Sequence, residues 1–188
     1  NNIIHDTYGS GIWLIGWLES YPKEEAKNIH IYHNIFYNTG TNPNIDWVGG
    51  IITSGFYDTL IENNIFDGVY HAAIIHMYPT GTHIYPTYEV HPILSPTGTE
   101  YTTIVRNNII VNTQKRTRNP DGTGYAVINY LPETHTFLLE NNCLYNNSAG
   151  NYQNCTSNTD IYADPLFVNQ SKHDYRLEPN SPCIGAGY

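Results

Sequence analysis

Asp46 and Glu89 stand out as acid–base candidates. Each lies in an insertion that follows a short apolar run, and each has aromatic rings beside it: Trp47 next to the first, Tyr85 and Tyr88 next to the second. Two carboxylates held roughly 5 to 9.5 Å apart across a groove can break a glycosidic acetal, one protonating the leaving oxygen while the other activates water or attacks directly. Glu133 beside His135 is a third candidate, whereas Asp58 occupies a turn site and more naturally caps it. For any one of these acids a plain surface position is the commoner role. A second chemistry is removal of the proton beside a uronate carboxylate, which needs a base and a cation. His76 and His91 are candidate bases. Lys115, Arg116 and Arg118, three of the eight basic residues, are candidate cations, with a solvated loop as the blander alternative. Trp13, Trp17, Trp47, Tyr85 and Tyr88 offer planar rings for stacking. No spacing matches a metal site, so no metal ligand and no cofactor is assigned; calcium would enter only with lyase chemistry, and no dense Asp group is present to hold it.

These residues hang on a repeat. The pairs and near-pairs Asn1-Asn2, His33-Asn34, Asn63-Asn64, Asn107-Asn108 and Asn141-Asn142 each precede a short apolar run, and their second members are spaced by 32, 30, 44 and 34 residues. A second apolar run follows in each unit, such as Gly50-Ile51-Ile52-Thr53 and Ala73-Ile74-Ile75-His76, and a third precedes the next pair, such as Thr59-Leu60-Ile61 and Phe137-Leu138-Leu139. Three β-rich runs per unit, separated by Gly and Asn, predict three strands and three turns per coil. The expected fold is all-β: a right-handed parallel β-helix of about five three-strand coils with a C-terminal cap.

Stacking at about 4.8 Å then places equivalent residues in columns. Ile3, Ile35, Ile65, Ile109 and Cys143 are expected as an internal apolar ladder. Asn2, Asn34, Asn64, Asn108 and Asn142 are expected as an amide ladder at a turn that tolerates left-handed backbone. Tyr32, Glu62, Arg106 and Glu140 should form an outward column, with Arg106 between carboxylates. His76 shares a column with Leu14, Thr53 and Asn129, so an inward-facing column would make it a hydrogen-bonded core histidine.

The 188 residues read as a single domain, with coils over 1–159 and a capping tail over 160–188 that shields the open edge of the stack. The chain opens inside a repeat, which points to a C-terminal piece of a longer β-helix whose remainder would be its covalent partner. Net charge is −9, which argues against nucleic acid and anionic membranes as partners. No apolar run is long enough to cross a bilayer as a helix. Charged residues make up only 13% while Tyr numbers 17, a balance suited to an extracellular or cell-surface protein with wide polar and aromatic faces. Of three cysteines, Cys143 is expected as a buried thiol, and Cys155 is its one candidate partner.

The closing segment carries Ala163-Asp164-Pro165-Leu166-Phe167, then Asp174-Tyr175-Arg176-Leu177, then Ser181-Pro182-Cys183-Ile184-Gly185-Ala186-Gly187. These motifs resemble the end of many right-handed parallel β-helix polysaccharide lyases and hydrolases, with Gly185 standing where Asp is usual. The stretch Asn38 to Gly50, with its sequel through Ala73, resembles the disaggregatase-related domain of Methanosarcina-type archaea. That resemblance implies an extracellular role on methanochondroitin, an acidic cell-wall polymer of uronate and galactosamine. No catalytic motif of the family maps onto particular residues. Glycosidic hydrolysis is the leading expectation, with Asp46, Glu89 and His76 as catalytic candidates. Trp13, Trp17, Trp47, Tyr85, Tyr88, His91, Lys115, Arg116 and Arg118 are then the substrate-binding candidates. A uronate lyase, or a non-catalytic carbohydrate-binding part of a larger enzyme, is the alternative.

Overall fold

The computed structural model describes residues 1–15, 28–45, 48–54, 58–77, 101–116, 123–132 and 135–187. Its strands run in chain order β1 (Ile3–His5), β2 (Ile12–Ile15), β3 (His30–Tyr32), β4 (Ile35–Tyr37), β5 (Ile51–Ser54), β6 (Thr59–Glu62), β7 (Ile65–Asp67), β8 (Ala72–His76), β9 (Tyr101–Arg106), β10 (Ile109–Val111), β11 (Tyr125–Asn129), β12 (His135–Glu140), β13 (Cys143–Tyr145), β14 (Gly150–Gln153), β15 (Phe167–Asn169) and β16 (Asp174–Leu177). Every third strand joins the same sheet. Sheet A is β1-β4-β7-β10-β13, sheet B is β2-β5-β8-β11-β14 and sheet C is β3-β6-β9-β12. All pairings within them are parallel. This is the parallel β-helix that the repeats predict.

The predicted register holds, and its facing differs by one residue. Ile3, Ile35, Ile65, Ile109 and Cys143 are indeed cross-coil partners. The interior, however, takes the next residue along. Phe36, Phe66 and Ile110 are fully buried and Leu144 nearly so, while Ile3 is 63% exposed. Phe36 and Phe66 stack with centroids 4.7 Å apart and an interplanar angle of 7°. Side chains alternate along a strand, so a one-residue shift exchanges inside and outside. Ile35, Ile65 and Ile109 lie on the outer face and are half-buried.

The Asn ladder forms, with a division of labour inside each pair. The first member takes the left-handed backbone: His33, Asn63, Asn107 and Asn141 have φ between 54° and 55°. The second member bonds along the stack and, from Asn34 to Asn142, is buried. Backbone N–H groups of Asn2, Asn34, Asn64 and Asn108 donate to the side-chain oxygens of Asn34, Asn64, Asn108 and Asn142 at 3.0 to 3.1 Å. The amide nitrogens of the same residues reinforce these contacts. A buried amide left without a partner costs about 1–3 kcal/mol, so the ladder fixes register as well as stability.

The tail begins as a cap and then departs from that role. Asp160 takes the next ladder place, its Oδ1 accepting from the Asn142 N–H at 2.8 Å. Ile161 bridges to Cys143 as a single parallel rung. From there the chain turns back along the outer face of sheet A. The antiparallel β15–β16 hairpin brings Gln170 and Tyr175 onto Asp67 of β7 at 2.9 and 3.1 Å. His173 stacks on Tyr37 of β4 with centroids 4.0 Å apart. The tail is therefore also a lateral strap across several coils. The outward column of sheet C is as expected: Arg106 Nε donates to Glu62 Oε2 at 2.7 Å, and His30 Nε2 lies 2.8 Å from Glu62 Oε1. The Arg106 hydrogen bond, more than any other contact, holds the Glu62 carboxyl below its usual range.

Candidate functional site

Sheet B is the sheet whose strands adjoin, in the chain, the segments that carry most of the sequence candidates. Its outward column is Trp13, Ile52, Ile75, Ile128 and Gln153. Ile52, Ile75 and Ile128 are fully covered and pack with Ala72, Met77 and Tyr125, whereas Trp13 keeps 42% of its surface open. Every segment outside the described residues that carries a sequence candidate joins an end of a sheet B strand in the chain. Trp17 follows β2. Asp46 and Trp47 precede β5. Tyr85, Tyr88, Glu89 and His91 follow β8, and Arg118 precedes β11. Those eight residues lie outside the described part of the molecule.

Three side chains that the sequence reading did not single out converge on this sheet. His71, just before β8, is buried and held at φ 72°, an uncommon backbone for a residue with a Cβ. Its N–H donates to the Gln114 carbonyl at 2.9 Å. The Thr123 hydroxyl donates to the His71 carbonyl oxygen at 2.7 Å and lies 3.1 Å from His71 Nδ1. With its only proton committed to the carbonyl, Thr123 accepts from Nδ1–H, which leaves Nε2 as an acceptor. The Tyr130 hydroxyl is 3.3 Å from that Nε2, and Tyr130 itself is 39% exposed. A buried imidazole in a fixed tautomer thus meets a solvent-reachable phenol. Such a dyad can move a proton to or from a group bound over the sheet. One sequence signal could have found Tyr130: if Asn129 faces inward, its successor faces outward.

The basic residues divide. Lys115 is exposed, and its stem lies along Gly124, where an added Cβ would sit 3.1 Å from Lys115 Cγ. It therefore runs past the backbone that enters β11. Arg116 is buried at 6% exposure, and its Nη1 donates to the Ile45 carbonyl at 2.6 Å. Its visible work is to pin the backbone next to Asp46.

His76 lies in the inward column beside Thr53 and Asn129, with Nδ1 at 2.9 Å from Thr53 Oγ1. It is 5% exposed and stacks on His135 with centroids 3.4 Å apart and planes 7° from parallel. Both His135 ring nitrogens are buried with no hydrogen-bond partner among the described residues. Burial pushes the His76 pKa well down, with the repulsion His135 would exert on a second protonated ring adding to it, and lowers that of His135 to about 3. Both rings are therefore neutral near pH 7. Among the described residues no group of three or more His, Cys, Asp or Glu side chains is placed to hold a metal ion, so no step is routed through calcium.

A three-sheet coiled stack with a strap along sheet A now has a family to compare with. Residues 1–187 match the family model described as disaggregatase related. The chain belongs to the disaggregatase-related family. The match spans nearly the whole chain, coils and tail alike, so the disaggregatase-related unit includes the strap as well as the stack. Comparison with curated proteins and with solved structures finds no match.

Proposed function

We propose that this disaggregatase-related domain acts outside the cell on an acidic polysaccharide of the methanochondroitin kind, binding it over sheet B and cleaving glycosidic bonds by hydrolysis. The observation that carries this reading is the presence along one sheet of exposed Trp13 on β2 and the exposed phenol of Tyr130 after β11, with exposed Lys115 running past Gly124 just before β11. Aromatic planes suit the C–H faces of sugar rings, and a lysine suits a uronate carboxylate. In the hydrolytic scheme Asp46 and Glu89, from segments attached to β5 and β8, supply the acid and the base or nucleophile. His71 and Tyr130 orient the sugar hydroxyls between them.

One observation favours a second reaction. The His71–Tyr130 dyad, with Lys115 along the same sheet, has the parts of a uronate lyase: a base for the C5 proton, a phenol to return a proton to the leaving oxygen, and a cation for the carboxylate. Incubation with methanochondroitin, following reducing ends and ultraviolet absorbance together, separates the schemes. New reducing ends without absorbance are the expected result. Absorbance from an unsaturated uronate overturns hydrolysis in favour of elimination. Binding with neither signal reduces the domain to the carbohydrate-binding part of a larger enzyme.

A further inference from the structure

The strap brings together two thiols that are 40 positions apart in the chain. Cys143 opens β13 and points outward, where its Sγ lies 3.4 Å from the Ala163 carbonyl oxygen of the returning tail. Cys183 arrives on the last turn of that tail. Its backbone N–H donates to Ser181 Oγ at 3.2 Å, and Ser181 Oγ in turn donates to the Pro165 carbonyl at 2.5 Å. This second bond pins the closing turn against the start of the tail. Both cysteines are thus held beside the same short stretch of tail, residues 163–165, and the tail's end stays on this edge of the stack, with Gly187 against the Asn107 side chain. The partner anticipated from sequence, Cys155, is elsewhere: its Sγ faces the Gln153 and Val127 carbonyls and packs against the interior.

We propose that Cys143 and Cys183 form a disulfide that fastens the tail to the fifth coil when the domain meets a small-molecule disulfide. Cys183 is the attacking thiol. It is the more accessible of the two, and the neighbouring Cys143 and then Ser181 hold its pKa down, while that of Cys143 is pushed up. The Cys183 thiolate displaces one thiolate from the small disulfide and forms a mixed disulfide. Cys143 then loses its proton, attacks the Cys183 sulfur and expels the second thiolate. Two protein thiols are oxidised to one disulfide, and one small disulfide is reduced to two thiols. The cross-link does not depend on which reaction sheet B performs.

The test uses the intact, unmutated chain treated with oxidised glutathione, alkylated without reductant and mapped by mass spectrometry. The expected product is a Cys143–Cys183 cross-linked peptide, with Cys155 recovered as a free thiol after unfolding. Reduction should lower Tm by on the order of 10 °C, as expected for a closed loop of this length in a domain of this size. Cys183→Ser should abolish both the cross-link and the sensitivity of Tm to reductant. A reaction that stops at glutathione on Cys183, a Cys143–Cys155 bridge, or three unreacted thiols would each overturn the proposal.

Discussion

The outer faces of sheets A and B are built from the same alternating repeat and put to different uses. On sheet A the outward groups satisfy one another. Asp67 accepts from Asn112, Gln170 and Tyr175 at 2.9, 2.9 and 3.1 Å, burial raises the Tyr175 phenol far above its usual range, and His173 lies flat on Tyr37. On sheet B the polar groups end at a surface. His71 is held from behind by Gln114 and Thr123 and presents its far nitrogen to a phenol that solvent can reach. A polar cluster closed on itself is a fastener, whereas one that reaches the surface can exchange a proton with a bound ligand.

The comparison can be broken most directly at Tyr130. Tyr130→Phe should lower cleavage of the polysaccharide by about 100-fold, with stability within about 0.5 kcal/mol of the parent; unchanged turnover would return the two faces to equal standing. Next in size, Asp67→Ala should cost about 2–3 kcal/mol in a urea titration, because three donors lose one charged acceptor, while turnover per folded molecule stays constant. Loss of turnover without loss of stability would move the active face to sheet A.

A third outcome concerns pH. The folded-state pKa of His135 is depressed from 6.5 to about 3, so below pH 6.5 the unfolded chain binds protons that the folded one refuses. Stability is therefore complete above pH 6.5 and declines as pH falls toward 3, by about 2 kcal/mol between pH 6.5 and 5 for this residue. His76 acts in the same direction. Urea midpoints measured across that range should fall, and His135→Leu should flatten the slope. The smallest effect is expected on sheet C, where Glu62→Gln should change stability by less than about 1 kcal/mol because the ion pair is partly open to water.

Much of the architecture was legible because the Asn pairs sit where backbone geometry leaves little choice. Their spacing gave the coils, the three sheets and the column register that places Thr53, His76 and Asn129 together. The facing of sheet A was not legible. Its strands are apolar at adjacent positions, as in Ile3-Ile4, Ile35-Phe36 and Ile109-Ile110, and the period-two signal vanishes when both faces are covered. What covers the outer face is the strap, whose return path no local pattern encodes. The same blindness hid Cys183 as the neighbour of Cys143. The His71 dyad escaped for a related reason: Gln114, Thr123 and Tyr130 reach it from the coil above, and each alone is an ordinary loop residue. The inward His76 could be read in advance because it lies on a strand.

The Asn ladder has a direction. Each rung donates toward the C-terminal end and accepts from the N-terminal end, and the last place is held by Asp160, whose carboxylate takes both the N–H and the side-chain amide of Asn142. A carboxylate has no hydrogen to pass on, so the relay of side-chain amides stops there. Growth of such an array is therefore polar. A coil added behind Asp160 would set its ladder carbonyl against a carboxylate and lose the side-chain half of the rung. The same single substitution of Asp for Asn that finishes the fold also discourages molecules from joining end to end into a filament.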